Sequence, residues 1–287
     1  MNKIGIYYAY WVRDWDADFH PFVDKAASLG FDVLELNAGT VAEMNPKERK
    51  RLKAHADEKG LTLTYCIGLP AIYDLASPDR SVRENGIKYL RKLAEAIGEM
   101  GGGILGGILY GSWPTSLPIE GTDKRRYVDM SVASMREAMP CAEDNHVFFN
   151  MEVVNRFEHF IMNTCDEAIA YVEAVGSPNA KVMLDTFHMN IEEDFIGDAI
   201  IKAGDHLGHL HVGENNRMPP GYGHIPWNEV GFALRKIHYQ NYVVMEPFLR
   251  PGGQVGRDIK VYRDLSVGMD MDREAQKALH FMRGVLK

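Results

Sequence analysis

Glu152, Asp185, His211 and Glu246 each close a short apolar run. The runs are Val147-Phe-Phe-Asn-Met-Glu152, Lys181-Val-Met-Leu-Asp185, Leu207-Gly-His-Leu-His211 and Tyr242-Val-Val-Met-Glu246. Each has the length and the β-branched or aromatic content of a buried strand. A strand that is apolar along its length and charged only at its carboxyl end suits an α/β enzyme, because ligands bind beyond those ends. Two glutamates, one aspartate and one histidine at four such ends form a metal-ligand set. Taken singly, Glu152 is as readily a helix cap or an ion-pair residue. Repetition across four strands makes the set a candidate metal centre.

The elements that must position these residues alternate along the chain. Strands are expected at Ile4–Tyr8, Val33–Leu36, Leu61–Ile67 and around Ile108–Tyr110, and then at the four runs above. Helices are expected over Phe19–Leu29, from Asn45 to about Lys59, from Ser77-Pro78 onward, and from Asp123 to about Asp144. Further helices follow Thr164 and cover Phe195–Ala203, Asn228–Ile237 and Arg273–Val285. Asn45-Pro-Lys-Glu48 and Thr164-Cys-Asp-Glu167 read as capping boxes. Pro140 is expected to kink or shorten its helix. Eight strand–helix units without a linker make one (β/α)8 barrel, a single domain over residues 1–287.

Within the strands, residues two apart share a face. Phe148, Asn150 and Glu152 therefore point one way, and Met183, His209 and Val244 accompany their ligands towards the barrel axis. Val182, Leu184, Val243 and Met245 face the helices. His209 reads as an interior histidine one layer below His211.

Composition narrows the function. The 287 residues are 46% hydrophobic, ample for a large core, and the net charge of −8 disfavours nucleic acid as a partner. Three cysteines without a CxxC pair read as reduced thiols, and no apolar run reaches the ~20 residues of a membrane span. A cytoplasmic protein is expected. Gly101-x-Gly103-x-x-Gly106 fits a dinucleotide fingerprint by letter, but it follows a helix and precedes a strand, the reverse of the required order.

Longer motifs around the four strand ends resemble the D-tagatose/D-psicose 3-epimerase family, on the xylose-isomerase-like barrel. They are Met151–Glu158, Val182–Asp194, Gly208–Arg217 and Val243–Phe248, with further agreement at Gly106-Gly107, Ser112-Trp113-Pro114, Gly252-Gly253 and Asp258–Val261. The resemblance spans nearly the whole chain. It implies a divalent metal, Mn2+ or Co2+, held by Glu152, Asp185, His211 and Glu246. It also implies that Glu158, His188 and Arg217 hold the carbonyl end of a sugar, with Trp15, Trp113 and Phe248 as apolar pocket walls. A homo-oligomer, dimer or tetramer, is the family's usual state. Departures from the pattern are the apolar loop Leu69–Tyr73, Pro219 and Tyr222 after Arg217, and Pro140.

Epimerising C3 of a ketose removes a proton beside a carbonyl and returns one on the opposite face. A Lewis acid on the carbonyl oxygen lowers the cost of the resulting charge, and two carboxylates on opposite faces act as base and acid. Glu152 and Glu246, on strands five and eight, are the candidates. The expected reaction is C3 epimerisation of a free ketohexose, such as D-fructose with D-psicose or D-tagatose with D-sorbose. An aldose–ketose isomerase on the same fold is the alternative. Gly252-Gly253 lies where barrels often cradle a phosphate, which leaves a phosphorylated sugar open.

Overall fold

A computed structural model describes residues 2–117 and 123–287. Eight parallel strands close into a barrel in sequence order: β1 (Ile4–Tyr7), β2 (Val33–Asn37), β3 (Thr62–Cys66), β4 (Gly103–Gly107), β5 (Val147–Glu152), β6 (Ala180–Asp185), β7 (Leu207–Val212) and β8 (Val243–Met245). β8 pairs with β1, Ile4 opposite Val243 and Ile6 opposite Met245, so no edge is left open. The fold is the expected (β/α)8 barrel.

Around it lie α1 (His20–Leu29), α2 (Ala38–Glu43), α3 (Pro46–Glu58), α4 (Arg80–Gly98), α5 (Arg125–Asp144) and α6 (Cys165–Val175). They are followed by α7 (Thr186–Glu192), α8 (Ile196–Ala203), α9 (Trp227–Lys236), α10 (Gly253–Asp258) and α11 (Met271–Val285). The Asn45 capping box forms in full: the side chain accepts from the Lys47 and Glu48 amides, and Glu48 accepts from the Asn45 amide. Thr164 caps α6, but Glu167 reaches past it to the Asn163 amide. Among the described residues no helix is long and apolar enough to cross a membrane.

Strand four departs from expectation. It occupies Gly103–Gly107, and Ile108–Tyr110 follow it as non-strand backbone. Its glycines look like a loop by composition, yet they pair with β5, Leu105 opposite Phe149 and Gly106 opposite Asn150. The barrel needs them bare. A Cβ on Gly106 would come within 2.6 Å of Met183 Sδ, and one on Gly107 within 2.2 Å of the Ile67 carbonyl.

Two other departures are smaller. α4 starts at Arg80, not Ser77, because Asp79 supplies the cap by accepting from the Ser81 amide. α5 runs four residues past Pro140 and closes with the Asn145 amide and side chain on the Cys141 carbonyl, so the proline does not shorten it. Val182, Leu184, Val243 and Met245 are buried at β6 to β8, and on the alternate positions Met183 and His209 meet near Gly106 of β4. Asn150 is likewise fully buried, whereas Phe148 on the same face is 41% exposed at the amino end of the barrel.

Candidate active site

The four strand ends converge. Glu152, Asp185, His211 and Glu246 each offer a ligand atom, and all four atoms lie within 4.8 Å of one another. Glu152, Asp185 and His211 end or nearly end β5, β6 and β7. Glu246 lies one residue beyond β8, with its amide bonded to the Val212 carbonyl. His211 Nδ1 sits 3.5 Å from Glu246 Oε1 and 3.7 Å from Glu152 Oε1. That nitrogen is buried and has no hydrogen-bond partner among the described residues, although burying such a group costs about 1–3 kcal/mol when it is left unsatisfied.

Charge points the same way. Burial, and then the like charge of Glu246, push the Glu152 carboxyl well above the usual carboxylate range. Among the described residues Arg217 is the only guanidinium in the group, 3.2 Å from Glu246 Oε2 and 3.4 Å from Asp185 Oδ2. With all three carboxyls ionised, as a bound cation would make them, three carboxylates against one guanidinium leave two negative charges for a divalent cation to neutralise. Oxygen-rich donors with one imidazole fit a hard or borderline divalent ion. Glu35, Cys66 and His211 form a second cluster of similar compactness. Burial and the neighbouring carboxylates push the Cys66 thiol up, and Glu35 is already bonded on both oxygens, so this cluster lacks free donors.

Above the four residues opens a cleft of about 400 Å3. Glu158, His188, Arg217, Trp15, Trp113 and Phe248, the expected sugar-binding residues, all line it, beside Glu152 and Glu246. Asp185 and His211 are not among its lining residues. Arg217 is held between rings, its guanidinium carbon 3.8 Å from the Phe187 centroid and 5.4 Å from that of Phe248. Its backbone adopts φ +62°, a left-handed conformation that costs a non-glycine residue of order 1–3 kcal/mol. Two backbone bonds keep it there: its amide to the Glu214 carbonyl, and its own carbonyl accepting from the Phe248 amide.

Asn155 organises the other side. Its side-chain amide lies 2.7 Å from His188 Nδ1 and 3.1 Å from Glu158 Oε1, and its backbone amide also donates to His188 Nδ1. With Nδ1 accepting, the His188 proton belongs on Nε2, the edge turned towards Arg217 and the cleft. Burial is the largest influence on His188 and lowers its pKa, favouring this neutral form. Burial alone would raise the pKa of Glu158. The adjacent His188 ring, the Arg217 charge and the bonds from Trp113 and Asn155 outweigh it and keep Glu158 below the usual range.

Several residues here escaped the sequence reading. Glu35, in the middle of β2, is fully buried and bonds His209, His211 and Thr64. A charged residue inside Val33-Leu-Glu-Leu-Asn37 was a visible signal, but β2 carries no ligand at its end. Asn155 lay within a family motif without being singled out. Tyr7 and Cys66 line the cleft floor, and Asp258, at the end of α10, accepts from the Trp15 indole at 2.8 Å. Gly252-Gly253 serves packing: a Cβ on Gly253 would meet the Arg13 carbonyl at 2.1 Å, and the next two amides bond Asp14 and Arg13. Tyr222 turns away to Glu274 on α11.

Residues 23–282 match the family described as Xylose isomerase-like TIM barrel. The D-psicose 3-epimerase of Ruminiclostridium cellulolyticum is 48% identical over 99% of this chain and 98% of its own. That of Agrobacterium fabrum is 44% identical over 99% of each. A crystal structure of D-psicose 3-epimerase with D-tagatose from Clostridium cellulolyticum is 48% identical, with a TM-score of 0.96 over 99% of both chains. The chain belongs to the D-tagatose/D-psicose 3-epimerase family of xylose isomerase-like TIM barrels. Its class is thus that of the ketose 3-epimerases, isomerases acting on carbohydrates.

Proposed function

We propose that this protein epimerises free ketohexoses at C3, as between D-fructose and D-psicose or D-tagatose and D-sorbose, with Mn2+ or Co2+ held by Glu152, Asp185, His211 and Glu246. The observation that carries this is the convergence of those four residues around the unpartnered Nδ1 of His211, beneath a cleft of sugar size. A divalent cation bound there supplies a Lewis acid that stabilises negative charge growing on the substrate oxygens. Arg217, His188 and Glu158 hold and orient the carbonyl end, with two donors and one acceptor facing the cleft. Trp15, Trp113 and Phe248 cover the rest of the sugar and exclude water.

Glu152 and Glu246 act as the proton-transfer pair. They stand on β5 and β8, so a sugar lying between them presents one face of C3 to each. One takes the C3 proton, the other returns a proton from the opposite side, and the roles exchange with direction. A free sugar is favoured over a phosphorylated one because, among the described residues, Arg217 is the only lysine or arginine lining the cleft, and it already faces carboxylates. The amides at the start of α10 are spent on Asp14 and Arg13. The same reading takes the protein as a cytoplasmic homo-oligomer. Free cysteines and the exposed Phe157, Phe195 and Phe232 support it.

In deuterated water the product epimer should carry deuterium at C3 and none at C1. Glu152→Gln and Glu246→Gln should each lower turnover by ~10²-fold or more at verified metal occupancy. Label at C1 with an aldose product would establish an isomerase instead. A strong preference for phosphorylated sugars would overturn the substrate assignment.

A further inference from the structure

Glu35 is a fully buried carboxylate on a strand that carries none of the four converging residues. It crosses the barrel interior to β7. Oε1 accepts from His211 Nε2, while Oε2 lies 2.8 Å from His209 Nε2 and 2.9 Å from Thr64 Oγ1. Among the described residues no lysine or arginine pairs with it. A hydrophobic side chain of similar volume would fill this layer at lower cost than a buried charge. Its contribution therefore lies in what it holds.

We propose that Glu35 is the positioning residue that makes Nδ1 of His211 the metal-binding atom and strengthens it as a donor. This rests on the four-residue metal site proposed above. An imidazole has two nitrogens, and the hydrogen bond made by one decides which lone pair the other presents. Because Glu35 accepts at Nε2, the proton stays there and the lone pair of Nδ1 faces Glu152 and Glu246. The negative charge behind the ring increases the electron density available at Nδ1. His209 and Thr64 are the brace. By occupying Oε2 they stop the carboxylate from rotating, so Oε1 remains aimed at His211. The reach runs from β2 through β7 to the cleft floor, tying a strand outside the ligand set to the metal.

The test is the Mn2+ dissociation constant of the metal-free protein, measured by competition with a chelating indicator, for the wild type, Glu35→Gln, Glu35→Leu and Thr64→Val. Glu35→Gln keeps an acceptor but loses the charge; Glu35→Leu loses both. Affinity should fall in that order, reaching ~10- to 100-fold for Leu, the usual cost of removing an outer-shell partner. Thr64→Val, which spares the His211 bond, should cost less than either. Wild-type affinity in a folded Glu35→Leu protein, with only its melting temperature lowered, would overturn the proposal and make Glu35 a core residue. Failure of the wild type to bind Mn2+ at all would overturn the metal site itself. Should the Glu35 variants not fold, histidine 15N spectra of the wild-type protein loaded with Zn2+ decide the matter. The His211 signal, identified by its loss in His211→Gln, should carry its proton on Nε2. A proton on Nδ1 would overturn the assignment.

Discussion

Arg217 is asked to do two things that conflict. It neutralises part of the charge on Asp185 and Glu246, and in the proposed reaction it also offers donors to a substrate. Its left-handed backbone and its seat between Phe187 and Phe248 hold the guanidinium where both are possible. Glu158 and His188 are set by Asn155 in a similar way, away from the four converging atoms. Arg217→Ala, Glu158→Ala and His188→Ala are therefore expected to lower kcat/KM by roughly 10- to 100-fold each, the worth of a charged hydrogen bond. Metal content, read by mass spectrometry of the purified variants, should stay near one ion per chain. Loss of metal from all three would move them into the ligand sphere or the fold.

At the scale of elements, β4 is the strand with the least side chain and the tightest fit. Gly107 has φ +111°, beyond the region that other residues adopt, and it packs against the Ile67 carbonyl at the end of β3. Gly107→Ala should destabilise the fold by at least the roughly 1–3 kcal/mol of a forbidden conformation. The denaturation midpoint would then fall at constant m-value. An unchanged midpoint would mean that β3 and β4 can separate without cost. Asp185 shows a second economy of elements: besides belonging to the candidate metal cluster, its Oδ1 caps α7 through the Phe187 amide at 2.6 Å. Substituting it therefore disturbs the helix that carries His188.

Across the whole molecule, the four candidate ligands join β5, β6, β7 and the end of β8, half of the barrel. A cation binding there couples metal affinity to global stability. Mn2+ at a hundred times its dissociation constant should add about 2.7 kcal/mol. For a chain of this size that raises Tm by several °C, at roughly 2–4 °C per kcal/mol. Chelation should reverse the shift, and Asp185→Asn should reduce it. A melting temperature indifferent to Mn2+ and to chelator would contradict a site built from four strands.

The barrel and its candidate ligands were legible in the sequence because both obey short-range rules. A buried parallel strand is a continuous apolar run, and a functional group at its carboxyl end interrupts that run where it can be seen. Glu152, Asp185, His211 and Glu246 are all of that kind, and the family motifs carried Glu158, His188 and Arg217 with them. Strand four was misplaced because glycine has no side chain to report its burial. The bare backbone is required by Met183 and Ile67, which come from other strands. Glu35 was passed over for a related reason: a charge in mid-strand has no meaning until something is known to face it. Closure of the barrel sets β2 opposite β7 and brings its carboxylate to two histidines more than 170 positions away. Local pattern determines which residues end strands. Only the closed tertiary structure decides which side chains share the interior, because barrel closure and stagger fix those pairings.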